Sequence, residues 1–150
     1  MGLFDFFKKD KGKEVFGEND AAEQKAEAIR REIDRLGLPG DIKVRVEGSK
    51  VKISGRVPDE ETRRKLMVIA GNTRYIDQVD DDGLDGGTGG RPRTHEVEPG
   101  DTLSEIAQKY YGDANAYHRI FEANRPMLKD PDEIYPGQVL IIPEATTANV

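Results

Sequence analysis

The sequence predicts an α+β fold built from two small modules, ordered αββαβ and then βααβ. Three observations carry that expectation. Apolar residues recur at steps of three and four in some stretches and strictly alternate in others, the marks of helices and half-buried strands. An acidic, glycine-rich run, Asp80 to Pro92, interrupts both patterns. The chain has 150 residues, 35% of them hydrophobic, enough for two small cores.

The elements follow in order. Residues 1–19 form an N-terminal segment with an apolar start, Leu3, Phe4, Phe6 and Phe7, expected to pack on the first module. That module spans 20–80. Its first helix carries Ala22, Ala26, Ile29, Ile33 and Leu36 on one face, with Asp20 as N-cap and Gly37 and Pro39 as stop signals. Ile42, Val44 and Val46 alternate with Lys43, Arg45 and Glu47. Val51, Ile53 and Val57 do so with Lys52 and Arg56, and a turn at Gly48-Ser49 makes a hairpin. Pro58 and the acids Asp59, Glu60 and Glu61 open a second helix. Thr62, Leu66, Ile69 and Ala70 supply its buried stripe, and Gly71 ends it. A short strand at Tyr75, Ile76 and Val79 closes the module. Residues 81–92 read as a flexible linker spanning about 20 Å as a random coil.

The second module, 93–143, starts with a strand at His95-Glu96-Val97. Thr102 and Glu105 form a capping box ahead of Leu103, Ile106, Ala107 and Tyr110, and Gly112 closes that helix. A second helix runs from about Ala114 to Ala123. Pro136-Gly137 turns into a last strand, Val139 to Ile142, and 144–150 are a tail.

Composition excludes several classes. With 23 basic and 29 acidic residues the net charge is -6, against a nucleic-acid partner. There is no Cys, so no disulfide, Cys-ligated metal or Cys nucleophile. No apolar run approaches a membrane span. The N-terminus makes a poor signal peptide, so a cytoplasmic location is expected. The three serines lie outside any G-x-S-x-G elbow, and Glu60 and Glu61 are explained by the helix dipole, so no enzyme is expected. An EF-hand with Gly83 in sixth place would begin at Gln78 and end at Gly89, where acids are required. His95 and His118 lie on different elements and cannot make a zinc site. Membrane-surface binding by Phe4, Phe6 and Phe7 with Lys8, Lys9 and Lys11 is weakly supported, and Phe6 occupies the Ser/Thr place of a myristoylation motif.

Val97-x-Pro99-Gly100-Asp101-Thr102-Leu103-Ser104-x-Ile106-Ala107, Tyr111-Gly112-Asp113, Ile120-x-x-Ala123-Asn124 and Ile134-Tyr135-Pro136-Gly137-Gln138-x-Leu140-x-Ile142-Pro143 together resemble a LysM domain. The αββαβ order, Val51-Lys52-Ile53-Ser54-Gly55-Arg56-Val57 and the helix ending at Gly71 look like a BON domain. With the start Met1-Gly2-Leu3-Phe4, the order of modules resembles the small cytoplasmic bacterial potassium-binding proteins of BON–LysM type, over about 1–143.

That resemblance implies one potassium ion held by main-chain carbonyls, in a sensor or buffer of bacterial stress responses. Potassium is large and weakly hydrated, and neutral carbonyl dipoles can replace its water. A helix end offers carbonyls without intrahelical partners. Gly71 and Asn72 tolerate positive φ and would let the chain after the helix curl its carbonyls inward. By resemblance the metal ligands are the carbonyls of Phe7, Lys11, Lys13, Gly71, Thr73 and Ile76, with rubidium or caesium as substitutes. Side chains at Lys11 and Lys13 would point to solvent, and alanine at Thr73 or Lys13 is expected to change little. Ion binding is expected to dock the LysM module on the BON module. The protein is expected to be a monomer. The other reading is an N-acetylglucosamine polymer such as peptidoglycan, held by the LysM groove at Gly100 to Leu103, Ala123 to Pro126 and Ile134 to Pro136, with Tyr135 as an aromatic contact.

Overall fold

The computed structural model describes residues 3–5, 13–87 and 93–144. The chain divides into two compact units, 1–91 and 92–150. In the first, β1 (Leu3–Asp5), α1 (Ala22–Leu36), β2 (Asp41–Glu47), β3 (Lys50–Arg56), α2 (Glu60–Gly71) and β4 (Gln78–Asp85) follow one another. The four strands make one sheet in the order β1-β4-β3-β2. β2 and β3 form the antiparallel hairpin read from the sequence, while β3 and β4 run parallel with α2 as crossover. β1 lies antiparallel on β4, pairing Phe4 with Val79.

α1 stops at Gly37, whose φ of 75° lets its N–H reach the Ile33 and Asp34 carbonyls. Its start differs from expectation. Ala21 holds the N-cap position and its N–H donates to the Gln24 side chain, while Asp20 accepts from the Gly17 N–H in the turn before. α2 begins as expected on an acidic cap, the Asp59 carboxylate accepting from the Thr62 N–H at 2.8 Å. Ile29 and Ile33 of α1, Leu66 and Ala70 of α2, and Val51, Ile53 and Val79 of the sheet are all within 2% of full burial. α2 is buried along its whole C-terminal half, from Leu66 to Gly71, because it lies over the sheet beside α1.

Strand β4 departs from the sequence reading. It begins after Tyr75 and Ile76 and continues through Asp85, into the stretch 81–92 expected to be linker. The glycines and acids that suggested flexibility have packing roles here. A Cβ at Gly83 would stand 2.8 Å from that of Ser54, so the strands approach closely only with glycine there. A register shift between Lys52 and Ser54 moves burial from Val79 and Asp81 to Leu84. Arg63, 6% exposed, reaches across from α2. It pairs with the Asp81 carboxylate at 2.5 Å and donates to the carbonyls of Asp81, Leu84 and Gly86. Residues 88–92 lie outside the described residues.

The second unit has the expected βααβ order: β5 (Thr94–Glu96), α3 (Leu103–Tyr111), α4 (Tyr117–Ala123) and β6 (Val139–Ile141), with a 3₁₀ turn at Ala114–Ala116 before α4. β5 and β6 pair antiparallel, His95 opposite Leu140. Thr102 caps α3 by accepting from the Glu105 N–H, and Gly112, with φ 70°, ends it. The core gathers Val97, Leu103, Ile106, Ala107, Ile120, Leu128, Leu140 and Ile142. Buried Asn124 donates to the Ile120 and Ile141 carbonyls and accepts from the Ile141 N–H, joining the end of α4 to β6.

Candidate functional site

Four of the six residues singled out in the sequence, Lys13, Gly71, Thr73 and Ile76, lie where α2 ends. Gly71 is the last residue of the helix, and the chain then turns through Asn72, Thr73, Arg74 and Tyr75 to buried Ile76. Lys13 runs parallel beside this turn and bridges to Thr73. Its N–H donates to the Asn72 carbonyl at 2.9 Å, and its own carbonyl accepts from the Arg74 N–H at 2.8 Å. Lys13, Gly71, Thr73 and Ile76 are thus brought to one end of the first unit. Phe7 and Lys11 lie outside the described residues.

The bonding of these carbonyls bears on what they can hold. Those of Gly71 and Ile76 accept no backbone hydrogen bond among the described residues. That of Thr73 accepts from the Ile76 N–H at 3.1 Å, and that of Lys13 from the Arg74 N–H at 2.8 Å. The helix end contributes the negative pole of its dipole, and its last turn carries no basic residue. Among the described residues no group of three or more Asp, Glu or His could hold a metal, so side-chain ligation has no comparable site there.

Three features of the turn escape the sequence reading. The positive φ does not fall on Gly71 or Asn72. Asn72 has φ -87°, and the left-handed residue is Tyr75 at φ 75°. Its ring rests 6.1 Å from that of Phe16, and the Arg74 guanidinium lies 5.4 Å from its centroid. Secondly, Asn72 and Thr73 bond backward to the helix. Nδ2 of Asn72 donates to the Val68 carbonyl and Oγ1 of Thr73 to that of Ile69. They bond to carbonyls three and two residues before Gly71, and among the described residues neither bonds to that of Gly71. The Thr73 side chain therefore has a structural role at the helix end, apart from whatever its carbonyl does.

The third feature concerns Lys13. Its side chain is 55% exposed, but the ammonium lies 2.7 Å from Glu32 of α1, so it is paired rather than simply turned to solvent. Glu32 also accepts from Arg35, at 2.7 and 3.1 Å. Burial works to raise the Glu32 carboxyl, but the hydrogen bonds from Arg35 and Lys13 outweigh it and hold it below the usual range. Glu14 lies 3.6 Å from Arg74, so the segment from Lys13 to Phe16 is fastened to the turn by backbone, charge and ring contacts. A cavity of about 360 Å³ beside Ile76 is lined by Glu18, Lys25, Ser49, Tyr75 and Asp77.

In the second unit, the turn at Gly100 to Leu103 is built around Asp101, which accepts from the Glu98 N–H at 2.8 Å and lies 2.9 Å from Nε2 of His95. Nδ1 of His95 lies 3.0 Å from the Tyr110 hydroxyl. His118 is exposed on α4 and stacks 4.1 Å from Tyr117, so the histidines stand on separate elements, as read from the sequence. Tyr135 is half-buried, and burial raises its hydroxyl pKa. No helix among the described residues is long and apolar enough to cross a membrane.

Comparison with known proteins agrees with both modules. The BON domain family matches residues 19–85 and the LysM domain family residues 95–143. A potassium binding protein, Kbp, of Escherichia coli is 40% identical over 96% of this chain and 99% of its own. An uncharacterised protein of Deinococcus radiodurans is 33% identical over 64% of this chain and 42% of its own. An esterase of Mycobacterium tuberculosis is 44% identical, but over only 57 residues, 12% of its length.

Proposed function

The chain belongs to the family of the potassium binding protein Kbp, a BON domain followed by a LysM domain, and from that premise we propose that it binds one potassium ion through main-chain carbonyls. The ligands in this reading are Gly71, Thr73 and Ile76 from the turn after α2, and Phe7, Lys11 and Lys13 from the N-terminal segment. The observation that carries it is the bridge between Lys13 and Thr73, beside two carbonyls that accept no backbone hydrogen bond among the described residues. The donor set suits the ion: dipoles without net charge, at the negative end of a helix, favour a large monovalent cation over a divalent one. The protein acts as a cytoplasmic ion sensor or buffer, is a monomer and performs no catalysis. A ring of ligands drawn from two distant segments is complete only when the N-terminal segment is docked. Ion binding therefore orders that segment, and with it docks the LysM module on the BON module.

Thermal unfolding in potassium and sodium chloride at equal ionic strength tests the ion. At ~100 times the dissociation constant, a ligand stabilises the native state by ~2.7 kcal/mol. A rise in Tm in potassium, smaller or equal in rubidium and caesium and absent in sodium, is expected. Identical curves over a wide concentration range would overturn the reading. Docking is tested separately by small-angle scattering, where no compaction on adding potassium would remove it. A second reading, binding of an N-acetylglucosamine polymer, is favoured by the LysM match over 95–143. Calorimetric titration with the oligomers decides it.

A further inference from the structure

Resting on that ion site, we propose that Glu32 of α1 is a positioning residue for it, fixing the Lys13 carbonyl through the Lys13 ammonium. Among the described residues Lys13 meets the rest of the unit at three points. Its N–H and carbonyl bond to Asn72 and Arg74, and its Nζ bonds to Glu32 at 2.7 Å. The backbone bonds, with Glu14 and Phe16 further along, hold the strand against the turn itself. The ammonium contact is the third point, and it lies on a different element, α1, which is fixed to the core by Ile29 and Ile33.

Glu32 is itself held. Its side chain is 14% exposed, and Arg35 grips both carboxylate oxygens from one turn along the helix. A carboxylate with restricted rotamers sets a partner's position better than a mobile surface acid. Its charge acts in the same direction. An ammonium on a residue that offers a carbonyl to a cation disfavours that cation, and the Glu32 carboxylate offsets it. Arg35 shares the carboxylate with Lys13, so an uncharged acceptor in its place would leave two cations uncompensated.

The test is a cycle of Glu32→Gln and Lys13→Met in the full chain, read by the dissociation constant for potassium and by Tm in sodium chloride alone. Glu27→Gln is the control, an exposed acid of the same helix lying 3.9 Å from Arg31. Glu32→Gln should weaken potassium binding by about two- to fivefold, the upper range of a charged pair at a partly exposed site. Tm in sodium should fall somewhat more than in the control, because Arg35 also loses its partner, and Lys13→Met reads the share that belongs to the Lys13 contact. The double variant should bind as Lys13→Met alone does, since without the ammonium Glu32 has nothing to position. The proposal is overturned if Glu32→Gln lowers Tm in sodium yet leaves the dissociation constant unchanged, or if the two losses add. Absence of a potassium effect in the unaltered protein would remove the site reading itself. A normal response there, retained in Glu32→Gln, would remove this inference alone.

Discussion

Phe16→Ala separates the two parts on which the candidate site is built. Phe16 is 7% exposed and is the apolar anchor that follows Lys13 in the N-terminal segment. Its ring contacts Tyr75 at 6.1 Å, and the Lys25 ammonium lies 5.3 Å from its centroid. Truncating a core phenylalanine costs ~3–5 kcal/mol. This one belongs to a segment that can relax by detaching, so the low end applies, about 3 kcal/mol. The cost should appear as local opening rather than global unfolding. The Arg74 amide reports it, because its hydrogen bond goes to the Lys13 carbonyl. At about 1.4 kcal/mol per tenfold, Arg74 protection against hydrogen exchange should fall by about a hundredfold, while amides of β3 stay protected. Potassium should restore part of the loss, since it binds only the docked segment. If Arg74 keeps its protection while the whole unit loses 3 kcal/mol to denaturant, Phe16 serves the core and not the segment, and the reasoning fails.

Other consequences are as direct. Arg63→Met leaves the Asp81 carboxylate buried without its cation and removes the guanidinium donors to three carbonyls. It should cost the first unit ~3–5 kcal/mol in denaturant unfolding. A small effect would show that β4 does not depend on that side chain beyond Val79. Thr73→Val keeps shape but removes the hydroxyl donor to Ile69, and a loss of about 1 kcal/mol is expected by the same measurement. In the second unit, the hydrogen bonds from His95 and from the Glu98 N–H hold the Asp101 carboxyl below its usual range. A folded-state value below the unfolded one gives stability that is full above ~3.9, the unfolded value, and lost as pH falls through the folded value. The Tm of the LysM module should therefore fall more steeply in acid than that of Asp101→Asn. Parallel pH curves would contradict the assignment.

The elements were legible wherever burial is periodic. The stripe at Ile29 and Ile33, the alternation through Ile42 and Val46, and the cap at Thr102 come from side-chain spacing that survives into the fold. Residues 81–85 were not legible because composition was the signal there. Acids and glycines usually mark solvated chain, and what makes this stretch a strand is Arg63, eighteen residues from Asp81 and inside a helix. Nothing local marks Tyr75 as left-handed either. The ring at Phe16 stands beside it, a long-range contact. The carbonyls of the site come from resemblance rather than from any pattern in the residues, since every residue carries one. What the structure adds is which of them accept no backbone hydrogen bond among the described residues.

The most direct measurement is the carbonyl ¹³C shift of each residue as potassium is titrated against a constant ionic strength made up with sodium. The account predicts saturable shifts at Lys13, Gly71, Thr73 and Ile76 with one shared dissociation constant, together with Phe7 and Lys11. Saturable shifts at the carboxylates of Asp80, Asp81 and Asp82, with those carbonyls unmoved, would contradict it.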